Sequence, residues 1–130
     1  MSIIELLGVI VALIAVAVSI VLQWVQNRDM FFAEYARRYQ EIWLNSPGST
    51  PEDADDKHIF LYLDLCSEEW HLYKTHRLPQ KVWNNWKEGM SRIMKFDRYR
   101  SYWALHKGDY EKDFQIFMDE LQVIEPTKVL

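Results

Sequence analysis

The chain has 130 residues, about one domain's worth, with 15 Lys and Arg against 19 Asp and Glu and a net charge of −4. That balance argues against nucleic-acid binding, which needs a basic surface. A single cysteine, Cys66, excludes an internal disulfide and suits a reducing compartment. Four glycines and four prolines leave little room for low-complexity linkers, and no internal repeat is visible. Six Trp, seven Tyr and six Phe supply side chains that favour dense cores, membrane interfaces and protein contacts.

The first element is set by an absence of charge. Between Glu5 and Arg28 lie 22 uncharged residues, almost wholly aliphatic from Leu6 to Leu22. As a helix they reach ~33 Å, against ~30 Å for a bilayer's hydrocarbon core. Trp24, Phe31 and Phe32 follow where amphipathic rings prefer the headgroup region. The pattern predicts a transmembrane helix over 3–26. A cleaved signal sequence is the weaker reading, because no Lys or Arg precedes the run and the run is long for a signal's apolar core. Arg28, Arg37 and Arg38 come soon after the span. The positive-inside rule then puts a short N-terminus outside and the rest in the cytoplasm. The chain thus divides into a membrane part, 1–27, and a cytoplasmic helical part, 28–130. Gly8, Ala12, Ala15 and Ser19 fall on one line down the helix, with Gln26 on the same line at the membrane edge. Small residues so aligned let another helix approach closely. The bland reading is that Ala and Gly are simply common in such spans.

Phe32, Tyr35, Tyr39 and Ile42 recur at helical spacing, so the first helix continues to about Leu44. NSPGSTPED breaks it. Thr50 and Pro51 have the chemistry of a helix start, which predicts a second helix from Pro51 to His76. On a wheel, Ile59, Leu63, Cys66, Trp70 and Tyr73 form one stripe, and Leu61, Leu65, Glu68 and Leu72 a second on nearly the opposite side. That pattern is expected of a central helix, with Cys66 a core residue rather than a nucleophile. Glu68 then sits between leucines and needs a partner, while Glu69 lies at the edge of the first stripe. Three partners suggest themselves. The first is a structural pair with Arg28 or Arg92, because Arg37 and Arg38 have Glu34 and Glu41 as helical neighbours. The second is a charge on another protein. The third is a metal or catalytic role using Glu68, Glu69 and His71, since Glu-x-x-His is the spacing of carboxylate-bridged metal bundles. Its only companion, Asp55-x-x-His58, is on the same helix and cannot face it.

A third helix is expected over Gln80–Phe96, with Val82, Trp86, Gly89, Ile93 and Phe96 inward and Gly89 permitting a close crossing. Residues 97–107 read as a short helix. Arg92, Lys95, Arg98, Arg100 and Lys107 outnumber Asp97 here, and aromatics including Trp103 interleave. Such a segment can lie on anionic lipid at ~1 kcal/mol per basic residue, or pair with the acidic segments 52–69 and 109–125. Asp109 is placed to cap a last helix to Val123, with the stripe Tyr110, Phe114, Phe117, Leu121 and Ile124.

Residues 62–90 carry a recognisable block: Leu65-Cys66-Ser67-Glu68-Glu69-Trp70, Leu72-Tyr73-Lys74, Pro79, Val82-Trp83, Trp86 and Gly89-Met90. It resembles a block in uncharacterised bacterial single-span membrane proteins with a small helical domain. Thr75-His76-Arg77 stands where those proteins often have a glycine. The resemblance implies a helical module and carries no known activity, substrate or cofactor.

The fold expected is all-α: one N-terminal transmembrane helix continuing into a small cytoplasmic helical bundle. The expected role is that of a non-enzymatic interaction or accessory protein, a subunit of a larger membrane assembly or a homo-oligomer through its span. No phosphate loop, paired cysteines or nucleophile motif suggests a cofactor or small-molecule substrate. The alternatives are an enzyme built on Glu68, Glu69 and His71, and a lipid-sensing module built on Arg92, Lys95, Arg98, Arg100 and Trp103.

Overall fold

A computed structural model describes residues 2–123. It is helical, with no strand among the described residues. Five α-helices follow one another: α1 (Ile3–Leu44), α2 (Asp56–Lys74), α3 (Gln80–Ile93), α4 (Asp97–His106) and α5 (Lys112–Val123), with single 3-10 turns at Pro47–Ser49, Pro51–Asp53 and Lys107–Asp109. The chain divides into two compact units, Met1–Ala36 and Arg37–Leu130.

The first unit holds most of α1. Its start is a capping box: the Ser2 hydroxyl accepts from the Glu5 amide at 3.1 Å, and the Glu5 carboxylate accepts from the Ser2 amide at 2.9 Å. Every residue from 2 to 24 is exposed. By length and composition this helix is able to cross a membrane.

The second unit takes the last turns of α1 and all of α2 to α5. Two buried stripes run along α2, one through Ile59, Leu63, Cys66 and Trp70, and one through His58, Tyr62, Leu65, Glu69 and Leu72. They lie side by side, about 100° apart, instead of on opposite faces. Leu61 is exposed and Glu68 half-exposed, so the expected second stripe is corrected by one residue: the inward acid is Glu69. Aromatic rings fill the interior. Tyr39, Trp43, Tyr62 and Tyr99 form one chain of contacts with centroids 5.4 to 6.2 Å apart. Trp70, Phe114, Phe117 and Trp83 form another, ending on Tyr73 stacked against Trp83 at 4.5 Å.

Helix boundaries depart from expectation where side chains choose other partners. Thr50 does not cap a helix: its side chain accepts from no helix amide, and its hydroxyl donates to Asp53. Pro51 opens a 3-10 turn, Ala54 is extended and buried, and α2 starts at Asp56 with Asp55 as its cap. Asp55 accepts from the His58 amide at 3.0 Å and from the His58 ring, so the Asp55-x-x-His58 motif is a helix start. The end of α2 is a Schellman motif: the Arg77 amide donates to the Leu72 carbonyl and the His76 amide to the Tyr73 carbonyl. His76 occupies the left-handed position at φ +60°, where glycine is ordinarily found. α3 stops at Ile93 instead of Phe96, and Phe96 becomes the residue before α4. Trp83, Met90 and Ile93 are its buried residues. A Cβ on Gly89 would meet nothing within 4 Å, so no close crossing occurs there within the described residues. Asp109 lies in a 3-10 turn instead of capping α5, which begins at Lys112. Phe114, Met118 and Leu121 are its inward residues, Phe117 is half-buried, and Ile124 lies outside the described residues.

Candidate functional site

The expected site centred on Glu68, Glu69 and His71. The structure separates these side chains. Glu68 pairs with Arg38 from the last turns of α1, and His71 is exposed. Glu69 is only 8 % exposed, and no Lys or Arg nitrogen among the described residues forms an ion pair with it. The three do not converge on one point. Among the described residues no three His, Cys, Asp or Glu side chains gather as a metal set would.

The partners expected for Glu68 are corrected. Arg92 is exposed and pairs along its own helix with Glu88 at 2.5 Å. Arg28 belongs to the first unit, where its guanidinium lies 5.5 Å from the Trp24 ring and 3.9 Å from Asp29. Arg37 pairs with Glu41 on α1. Arg38 is one residue further along, rotated by about 100°, and that rotation carries it to α2.

Around Glu69 the interior is polar but poorly solvated. Burial is the largest influence on its carboxyl, and Glu68 adds repulsion; Arg38 opposes both only in part, so the pKa is pushed up from 4.5 to about 8. Cys66, one turn earlier on the same helix, is buried, and burial with the nearby Glu69 carboxyl pushes its thiol well above the ordinary range. Tyr62 shares a hydrogen bond with Cys66, and its hydroxyl too is pushed up by burial. These side chains favour neutral forms. None has the exposure and lowered pKa of a nucleophile.

The basic segment is mostly committed to structure. Trp103, expected at a membrane surface, is 2 % exposed and donates from Nε1 to Asp119 of α5 at 2.9 Å. Lys107 meets the same carboxylate at 3.4 Å. Arg100 donates to the carbonyls of Met94 and Lys95, both at 2.9 Å, closing the turn between α3 and α4. Lys95 and Arg98 are exposed. Asp119 was not singled out from the sequence, and its spacing on α5 carries no signal beyond a polar position.

The proposed packing line Gly8, Ala12, Ala15 and Ser19 is exposed along α1, as is Gln26. In the second unit an open groove of about 410 Å³ has Trp70, Tyr73, Trp83 and Phe117 in its lining, with Lys74, Lys87, Asp113 and Glu120 at its sides. Lys74 lies 5.7 Å from the Trp70 ring. Comparisons with protein-family models, curated proteins and solved structures found no match to this chain.

Proposed function

We propose that the protein is a single-pass membrane protein whose helical unit serves as an interaction or accessory module in a larger membrane assembly or in a homo-oligomer. The observation that carries this reading is α1: residues 2 to 24 are exposed, and Ile, Leu and Val dominate among them. Apolar surface costs ~25 cal/mol per Å² in water. A helix bare on all sides therefore needs lipid or protein around it. Arg28, Arg37 and Arg38 favour a cytoplasmic location for the C-terminal unit. The line Gly8, Ala12, Ala15 and Ser19 is suited to close contact with another span.

An interaction role is supported by apolar side chains in the second unit that its own packing does not use. Phe60 and Leu61 are 48 % and 37 % exposed on α2, and Leu105 is 82 % exposed on α4. The residues that an enzyme reading would use diverge, as described above. The test is purification of the full chain in mild detergent followed by native mass spectrometry. A stable companion or a defined homo-oligomer is expected, disrupted by Ala12→Leu or Ala15→Leu. A monomer free of companions would overturn the proposal.

A further inference from the structure

The last turns of α1 pack against α2. Tyr62 contacts the rings of Tyr39 and Trp43, at 6.2 and 5.4 Å. Two turns later Glu68 holds Arg38. Glu69 is the next residue, turned inward and almost wholly buried. The groups acting on its carboxyl are Arg38 from α1 and Glu68 from α2. Cys66 and Tyr62, on the inner face of α2, respond to it in turn. One guanidinium thus stands near two adjacent carboxyls, and the outer one has it.

We propose that Glu69 is a proton-binding site that governs the attachment of the last turns of α1 to α2. With the proton bound, Glu69 is a neutral side chain compatible with its buried place, and Arg38 keeps its ion pair with Glu68. With the proton released, a bare carboxylate lies in a poorly solvated interior beside a second carboxylate. Ionised carboxylates are not tolerated there unpaired. Two outcomes relieve the charge: Arg38 is drawn from Glu68 toward Glu69, or the junction opens to admit water. Either loosens the Tyr39, Trp43 and Tyr62 contacts. Burial and the neighbouring acid act in the same sense, raising the proton affinity of Glu69 so that release falls near pH 8. The site is therefore loaded at neutral pH and emptied under mildly alkaline conditions.

The experiment is an infrared titration of the full chain in neutral detergent from about pH 6 to about pH 10, paired with hydrogen exchange of the amides of residues 38–44. The expected result is a protonated-carboxyl band at neutral pH that disappears with a midpoint near 8 and is missing in Glu69→Gln. Exchange at 38–44, corrected for its intrinsic pH dependence, should rise about tenfold or more across the same midpoint in the wild type and stay level in the variant. Glu68→Gln should keep the band. Arg38→Gln, which removes the opposing charge, should move the midpoint upward, and this reading survives even where Glu69→Gln does not fold. A wild type without the band at neutral pH, a band that persists in Glu69→Gln, or a midpoint indifferent to Arg38 would each overturn the proposal.

Discussion

The apolar stretch of α1 and the body of α2 are both helices that carry rows of aliphatic side chains, and they use those side chains in opposite ways. From Ile3 to Leu22 every position is exposed. In α2, Ile59, Leu63 and Leu65 are wholly buried. The difference lies in what surrounds the apolar residues in sequence. Around α1's stretch there is no charge for 22 residues, so no face is set apart as polar. Along α2, Lys57, Asp64, Glu68 and Lys74 interrupt the pattern and mark which sides meet solvent. A helix apolar all round calls for an apolar solvent, whereas one apolar on an arc calls for neighbours from its own chain.

The sharpest way to break this contrast is within the core. Trp103→Ala removes a buried ring and leaves Asp119 without its indole donor. It should cost ~4 kcal/mol in denaturant unfolding of the full chain in detergent. On the other helix, Leu13→Arg should leave that unfolding curve unchanged and instead weaken membrane insertion by ~3 kcal/mol, read as loss of protein from the membrane fraction. Were Leu13→Arg to melt the helical unit, the contrast between the two helices would fail.

A pH-dependent effect concerns Glu69. Its pKa is raised in the folded state, from 4.5 to about 8. The stability it contributes is fully present below 4.5 and is lost as the pH rises through 8. Between these values the folded state holds a proton that the unfolded state has released, so stability should fall by up to ~1.4 kcal/mol per pH unit. Glu69→Gln should flatten that slope, measured by urea unfolding at a series of pH values. The smallest effect is a gain. His76 holds a left-handed backbone conformation at φ +60°, and His76→Gly should raise stability by ~1 kcal/mol, seen as an upward shift in thermal midpoint.

Much of the architecture was legible. The charge-free stretch marked α1, and aromatic spacing carried it correctly to Leu44. The pattern over 97–107 predicts a short helix, and α4 is Asp97–His106. The place of Cys66 in an apolar stripe predicts a core thiol, and Cys66 is buried. The site was legible only in outline. Glu68 and Glu69 differ by one step of 100°, and both border apolar positions, so the wheel cannot say which of them turns inward. That choice belongs to the last turns of α1, which bring Arg38 to Glu68. Sequence neighbours point the wrong way, because Glu41 is within helical reach of both arginines, three residues from Arg38 and four from the Arg37 it holds. Thr50 is not the cap of α2 because a 3-10 turn and an extended Ala54 intervene, and Asp55 takes that role. Trp103 resembled an interfacial aromatic until α5 supplied Asp119, a partner no local pattern announces.

The central proposal is that α1 lies in a bilayer with the helical unit on the cytoplasmic side. The direct measurement is protease digestion of intact and lysed spheroplasts carrying the full chain, after confirming that it stays in the membrane pellet through an alkaline carbonate wash. The account predicts a full-length chain in the pellet, with the helical unit protected in intact spheroplasts and digested on lysis. Release by carbonate, a chain shortened by cleavage after the apolar stretch, or digestion from outside would contradict it.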